Sequence, residues 1–202
     1  MVLAPVEASS QEYGVYGLLG FNAEAEFDDV SFSNDNGALR LDGDEDEDLE
    51  DNLGVLVLGE TELGSGLAWG GMAKLVFAEG DESDGNYTTL DLGVSGRWRA
   101  PVKSFDLDLV GAIGPSVLFL ADLDDPFDDY SFLTLGYHLT AGVFASKKVG
   151  SVTLSAGLLL SRESYADTED EDNIDPFGDV TIEFEDGVMT RGYLVLGARF
   201  GG

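Results

Sequence analysis

Apolar and polar residues alternate with a period of two along most of this chain. Near the middle, for example, Phe105, Leu107 and Leu109 alternate with Asp106 and Asp108. Because successive side chains of a β-strand point to opposite faces, this pattern predicts strands with one apolar and one polar face. The alternating segments are residues 12–27, 53–63, 67–78, 87–99, 105–120, 131–146, 152–165 and 180–200, which makes eight strands.

The connections between these strands are alternately long and short. The long ones are acidic and comprise residues 28–52, 79–86, 121–130 and 166–179, whereas the short ones are residues 64–66, 100–104 and 147–151. Within the first long connection, Asn36-Gly37 is a hairpin signal and predicts a β-ribbon. Residues 42–51 are acidic at eight of ten positions, and we expect them to form a loop. We also expect a bulge or local kink at Pro115, which lacks a ladder donor, and a bulge at Asp186-Gly187.

Alternation alone does not decide which face points outward, since a soluble lipocalin-like barrel places its apolar face inside. Two features favour a membrane barrel. The polar face is built from small residues at mid-strand, such as Gly114 and Ser116, which suits a narrow lumen. The apolar face ends in aromatic residues, as expected of interfacial girdles. These are Trp69, Trp98 and Phe105 near the short turns and Phe77 and Phe119 near the long connections.

The even strand number and the alternation of long and short connections resemble the small eight-stranded bacterial outer-membrane barrels of the OmpA membrane domain and OmpX type. The resemblance covers residues 12–200 and includes a last strand that ends in Ala198-Arg199-Phe200, followed by two glycines. It implies an all-β, antiparallel up-and-down transmembrane barrel with short periplasmic turns, long extracellular loops and both termini in the periplasm of a Gram-negative cell. We expect residues 1–11 to form a tail and residues 12–202 a single barrel domain.

Composition excludes several classes of function. The 202 residues carry a formal net charge of −30, which opposes binding to nucleic acid. The chain has no Cys, which excludes disulfides and thiolate chemistry. No apolar run approaches the roughly 20 residues of a transmembrane helix. Met1–Ser10 lacks the features of a signal peptide, and we take the sequence for a mature form.

Charged residues on the polar face are predicted to meet inside the barrel, where charges persist only when paired. One group lies near the short turns and contains Glu60, Glu62, Arg97, Arg99, Asp106, Asp108 and Arg199. A second layer, farther from those turns, contains Lys74, Asp91 and Arg191. We interpret both as structural salt bridges rather than catalytic carboxylates, because nearby arginines keep carboxylates ionised.

Two further features invite a chemical interpretation. His138 is the only histidine, and parity places it on the lumen face as a buried, hydrogen-bonded residue. It is only distantly similar to the His and Ser pair of outer-membrane lipid deacylases, since Thr140 stands in place of the serine. Asp42, Asp44, Asp46 and Asp48 alternate as calcium ligands do, but no glycine follows at the position that a calcium loop needs. We expect at most weak, collective binding of Ca²⁺ or Mg²⁺ there.

The sequence therefore predicts a non-enzymatic, integral outer-membrane protein with a side-chain-filled lumen. Its acidic surface would support surface integrity or interaction, with outer-membrane lipid, lipopolysaccharide and a protein partner at the loops as candidate partners. Two alternatives stay open, namely a narrow pore for small solutes or ions and a lipid-modifying enzyme. We expect no cofactor beyond the divalent cations.

Overall fold

A computed structural model describes residues 10–34, 40–80, 86–121, 131–174 and 178–201. Within the strands, the backbone alone is described for residues 27–34, 40–47, 51, 131–132, 168–174 and 178–185. The described residues form nine strands, which are β1 (Gln11–Asn34), β2 (Arg40–Gly64), β3 (Leu67–Gly80), β4 (Asn86–Val102), β5 (Phe105–Ala121), β6 (Ser131–Val149), β7 (Val152–Tyr165), β8 (Thr168–Ile174) and β9 (Gly178–Gly201). None of the described residues belongs to a helix that is long and apolar enough to cross a bilayer.

The sheet closes into a ring in which each strand pairs with its neighbours in antiparallel fashion. The order is β1-β2-β3-β4-β5-β6-β7-β9, and β9 pairs with β1 to complete the circle. The ninth strand, β8, pairs with β9 alone among the described strands. The predicted all-β, antiparallel up-and-down barrel is confirmed, with eight strands in the ring. A closed ring leaves no sheet edge within the barrel itself, which is what a β-structure in lipid requires.

A β-ribbon rises above the ring at the end opposite the short turns. β1 and β2 stay paired as far as Ser33 and Arg40, and β8 and β9 lie beside them. The predicted ribbon is therefore present, although the turn at Asn36-Gly37 lies outside the described residues. The expectation of a loop at residues 42–51 is wrong, because these residues belong to β2. Asp42, Gly43 and residues 45–48 pair with β1, and Leu49 and Glu50 pair with β3. Backbone pairing with a neighbouring strand outweighs the low strand propensity of acidic residues.

The fourth acidic connection is also more ordered than the sequence suggested. We expected a loop at residues 166–179, but Thr168–Ile174 is a strand. It keeps the same register against β9 that β7 has, since Tyr165 faces Gly187 and Thr168 faces Phe184. β8 is therefore a continuation of β7 after a two-residue break. The second and third long connections lie largely outside the described residues, which leave out 81–85 and 122–130.

The bulge predicted at Asp186-Gly187 is wrong, and a local backbone irregularity takes its place. Asp186 has a positive φ of 22°, and its backbone N–H donates a hydrogen bond of 3.1 Å to Oδ1 of Asp167. The register of β9 against β1 is the same on both sides, so no extra residue is inserted there. Asp167 lies in the break between β7 and β8, and the two irregularities therefore support each other.

A true register shift occurs on β1 beside Phe21, between Gly20 and Asn22. Below it the odd-numbered residues face outward, as the alternation predicts. Beyond it the faces exchange, so that Ala23 and Ala25 are buried while Glu24 and Glu26 are exposed. Unbroken alternation over residues 12–27 would keep Ala23 and Ala25 on the outer face with Leu19. That expectation is wrong, because one inserted residue moves every following side chain to the other face.

The outer wall of the ring is apolar and exposed. Val94 is 61% exposed and Leu196 69% exposed, in keeping with the lipid-facing band of a membrane barrel. The five aromatic residues predicted at the ends of this band are all exposed; they are Trp69, Trp98, Phe105, Phe77 and Phe119. An apolar surface of this extent on a monomer requires a bilayer or a detergent micelle.

We expect Val94→Arg to destabilise the protein in lipid vesicles by about 2–4 kcal/mol, because it places a cation at mid-wall. The matched variant Leu63→Arg lies beside the first short turn and should cost about 0–1 kcal/mol. Urea unfolding in vesicles measures both. Equal costs for the two variants would contradict a membrane band at this height.

Candidate functional site

The lumen contains two layers of charged side chains separated by apolar ones. They arise because every second residue of a strand points inward, so charges placed at that parity on different strands meet inside the barrel. We call them the lower charge layer, near the short turns, and the upper charge layer. The lower charge layer consists of Glu12, Glu60, Glu62, Arg97, Arg99, Asp108 and Arg199. The upper charge layer consists of Lys74, Asp91, Glu163 and Arg191.

Arg97 on β4 is the centre of the lower charge layer. Its Nη2 lies 2.6 Å from Glu12 and its Nε lies 2.7 Å from Glu60. The Arg97 side chain is 1% exposed, so these pairs are shielded from water. Buried pairs of this kind cost little when both partners are present, whereas removal of one partner leaves an uncompensated charge.

Two more arginines complete the lower charge layer. Arg99 lies 3.0 Å from Asp108 and 3.3 Å from Glu62. Arg199 forms an ion pair with Asp108, which also accepts a hydrogen bond from Ser146. Four carboxylates face three guanidinium groups here, and the half-exposed Glu62 lies on the solvent side.

The structure departs from the sequence-based set at this layer in two ways. Glu12 belongs to it and was not predicted, although its even position on β1 gave the same parity as Tyr16. Asp106 was predicted, yet none of the ion pairs among the described residues includes it. Asp106 follows the turn directly and is partly exposed, so water can solvate its carboxylate.

An apolar layer fills the lumen above these charges. Tyr16 and Phe144 pack with their ring centroids 5.6 Å apart. They belong to a buried cluster that also includes Leu58, Met72 and Val195. These packed and mainly apolar side chains separate the lower charge layer from the charges above.

The upper charge layer is centred on Lys74 of β3. Its Nζ lies 2.6 Å from Glu163 and 2.7 Å from Asp91, and all three side chains are 0% exposed. Arg191 lies 3.6 Å from Glu163 and donates a hydrogen bond of 3.0 Å to Thr89. The layer is neutral, with two cations and two carboxylates. The prediction omitted Glu163, although its parity on β7 matches that of Ser161.

His138 is buried in the lumen and connects three strands. It faces Gly114 in the pairing of β6 with β5, and its ring passes across β5 to place Nε2 3.2 Å from the Leu92 carbonyl oxygen of β4. A Cβ atom at Gly114 would collide with that same oxygen. Only glycine therefore lets β4 approach β5 this closely below the imidazole.

The contact between His138 and Leu92 has a cause in the sequence. Pairing of β4 with β5 is interrupted where Leu92 would face Pro115, and the register is the same on both sides of the interruption. Proline has no N–H to give to the Leu92 oxygen. Since a carbonyl oxygen only accepts, Nε2 of His138 donates to it and replaces the missing backbone donor. The irregularity expected at Pro115 is thus a lost ladder contact, without a bulge.

The other ring nitrogen joins His138 to the upper charge layer. Nδ1 lies 3.1 Å from the Thr140 hydroxyl, which lies 3.2 Å from the Ser161 hydroxyl. Ser161 donates a hydrogen bond of 2.6 Å to Glu163. Since Nε2 carries the proton of the neutral ring, Nδ1 accepts a hydrogen bond from the Thr140 hydroxyl. Both nitrogens are therefore engaged, and neither is directed at the lipid-facing wall.

The four aspartates considered as cation ligands lie on the ribbon section of β2. Asp48 is exposed, and the side chains of Asp42, Asp44 and Asp46 lie outside the described residues. Among the residues that are described, no group of three or more His, Cys, Asp or Glu side chains is arranged to hold a metal ion.

Comparison with known proteins shows a likeness of fold. No protein-family model and no curated protein match this chain. The outer membrane protease OmpT from Escherichia coli has a TM-score of 0.51 at 8% identity, over 100% of this chain and 99% of that chain. Neisserial surface protein A has a TM-score of 0.44 at 13% identity, over 93% of this chain and 96% of that chain. Ail, the attachment invasion locus protein of Yersinia pestis, has a TM-score of 0.44 at 13% identity, over 93% of this chain and 98% of that chain. At 8% identity, the likeness to the outer membrane protease OmpT is one of fold alone.

We expect Arg97→Ala to destabilise the barrel by about 3–5 kcal/mol, because Glu12 and Glu60 lose their shared buried partner. Arg162→Ala is the matched control, since Arg162 is exposed on the outer wall. Urea midpoints in detergent micelles measure the effect. Equal midpoints for Arg97→Ala and the unmodified protein would mean that water reaches the lower charge layer.

His138 takes the place of the backbone donor that Pro115 lacks at the Leu92 oxygen, so we expect the stability costs of substitutions at His138 and Pro115 to be non-additive. His138→Ala should cost about 1–3 kcal/mol, since it leaves a buried carbonyl oxygen without a donor. In a Pro115→Ala background the cost should fall, because the new backbone N–H can donate to Leu92. Pro101→Ala, near the second short turn, provides the control background. The same cost of His138→Ala in all three backgrounds would refute the donor replacement.

Proposed function

We propose that this chain is a non-enzymatic integral protein of a bacterial outer membrane, with a closed lumen and an acidic ribbon at the cell surface. The observation that carries the proposal is the filling of the lumen. Among the described residues, two ion-paired layers and the mainly apolar layer between them occupy the lumen, which supports a barrel without a continuous polar path. The apolar outer wall supports membrane insertion independently of the lumen.

The proposed orientation follows from the two ends of the barrel. Bacterial barrels place their short turns in the periplasm and their long connections outside. The short-turn end of this chain carries the exposed Lys103, Lys147 and Lys148, whereas the ribbon end carries the acidic segments. Both termini would then be periplasmic.

The ribbon is the proposed surface for interaction. β2 and β8 bring the acidic sequences 42–51 and 168–174 to the same end of the barrel. A collective, low-affinity association with Ca²⁺ or Mg²⁺ would reduce their mutual repulsion and bridge them to lipopolysaccharide phosphates. A protein partner at this surface would need a basic face.

A lipid-modifying enzyme is less well supported by the geometry. His138 is the only histidine, and both its ring nitrogens bond inside the lumen, to Leu92 and Thr140. A nucleophile acting on lipid requires a base within hydrogen-bond reach near the outer wall.

Single-channel recording in planar bilayers tests the proposal against the alternative of a narrow pore. We expect no stable conductance steps, because each charged layer is fixed by pairs across the lumen. The matched positive control is the double variant Tyr16→Gly and Phe144→Gly, which removes the facing rings of the apolar layer and should raise the frequency of openings. Steady, ion-selective steps from the unmodified protein would overturn the closed lumen.

A further inference from the structure

The wall of the barrel has a gap between β1 and β2. The two strands pair up to Leu19 and Leu53, and again from Glu24 and Asp48, with no pairing in between. The register is the same on both sides, so four residues of each strand face one another without a ladder. On their other sides both strands stay paired, since Gly20, Asn22 and Ala23 face β9 and Leu49 and Glu50 face β3. The gap is therefore confined to the seam between β1 and β2.

Asn52 lies in this gap with an unpartnered side chain. The residue is only 4% exposed, and neither its Nδ2 nor its Oδ1 has a hydrogen-bond partner. A Cβ atom at Gly20, directly opposite, would collide with the Asn52 side chain. Gly20 therefore makes the room that Asn52 occupies. A buried amide without partners costs about 1–3 kcal/mol, which a ligand with matching groups would recover.

A cavity of about 420 Å³ opens at the gap. Its volume lies within the roughly 300–1,000 Å³ that ligand pockets occupy. Asn52 lies at its buried end, and the exposed Phe21, Asp48 and Glu50 line its outer part. The outer wall shows where the cavity lies relative to the membrane, because the wall changes there from the apolar Leu19 and Leu53 to acidic residues. The end of an apolar band marks the level of the lipid headgroups.

We propose that this gap is a binding site for an uncharged, hydroxyl-rich ligand, that is, a neutral sugar ring. A hydroxyl group both donates and accepts, and so matches the Nδ2 donor and the Oδ1 acceptor of Asn52, which have no other partner. The exposed carboxylates of Asp48 and Glu50 can accept hydrogen bonds from sugar hydroxyl groups. The ring of Phe21 offers an apolar surface to the C–H face of a sugar.

Charged ligands fit the site less well. Asp48 and Glu50 line the cavity, and the exposed Glu24 follows the lining residue Ala23 on β1. These carboxylates repel a phosphate or sulfate. A simple cation would leave the Nδ2 donor of Asn52 without an acceptor. The site lies in the wall, so its occupancy is independent of whether the lumen conducts ions.

The test uses the full chain in nanodiscs of zwitterionic phospholipid, free of sugar detergents. Amide NMR spectra are recorded while maltose is added, with glucosamine and glucuronate as the cationic and anionic comparisons. We expect saturable shifts confined to residues 20–23 and 49–52 with maltose, and smaller ones with the anionic glucuronate. Glucosamine should also bind, since it carries the same hydroxyl groups, and salt should reduce its response but not that of maltose. Absence of saturable shifts at these residues with maltose, or equal responses to maltose and glucuronate, would overturn the proposal.

A second arm separates a free sugar from a lipid headgroup, which share this chemistry. Nanodiscs doped with a neutral diglycosyl lipid should reproduce the same shifts without maltose if the ligand reaches the site from the bilayer. Shifts with maltose alone assign the site to a soluble sugar. Either result supports a neutral sugar site, and shifts with neither overturn it.

Variants link the shifts to the residues that form the gap. Asn52→Leu should weaken maltose binding by about tenfold through loss of the amide's hydrogen bonds. Phe21→Leu, on the outer wall, tests the site independently of the buried amide and should also weaken binding. Asn86→Leu makes the same exchange as Asn52→Leu at the start of β4, outside the cavity, and should leave binding unchanged. Unchanged binding in both Asn52→Leu and Phe21→Leu would contradict the assignment.

Discussion

The buried ion pair across the lumen is the interaction on which the rest of this structure depends. A narrow barrel excludes water from its interior, so each inward-facing charge needs a partner on another strand. Lys74 and Glu163 join β3 to β7, Arg97 and Glu12 join β4 to β1, and Arg199 and Asp108 join β9 to β5. These contacts lie between strands that are not neighbours in the ring, and they fix its cross-section in a way that ladder hydrogen bonds cannot.

Much of this arrangement follows from parity. The alternation of residues predicted the ring, the outward aromatics and the inward positions of Lys74, Asp91 and Arg191. Glu12 and Glu163 had the same parity and were predictable on that ground, but a sequence does not tell which inward charges stand at the same height. Height depends on the stagger of the strands, which is set by pairing between residues far apart in sequence.

Other features were not predictable because one local event changes everything after it. The inserted residue at Phe21 turns Ala23 and Ala25 inward. The apolar and polar residues of the sequence keep alternating through this shift, so the sequence gives no sign of it. The loop expected at residues 42–51 rested on charge alone, whereas β1 offers that segment a paired backbone. The replacement of Pro115's missing donor by His138 required three strands to be in place at once. In each case a tertiary contact decided between states that local sequence left nearly equal.

The ribbon that β2, β1, β9 and β8 form above the ring has a consequence for how two copies of this protein meet. Above the ring, β2 is bordered by β1 alone and β8 by β9 alone, so the ribbon has two open edges among the described strands. Open edges are templates for pairing with another chain, and densely packed proteins in a membrane present them to one another continually. The sequences at these edges are acidic, with four successive carboxylates at residues 169–172 in β8 and five at residues 44–48 in β2. Like charge on both edges opposes the joining of ribbons into larger sheets, and the acidity of the chain thereby protects it from aggregation.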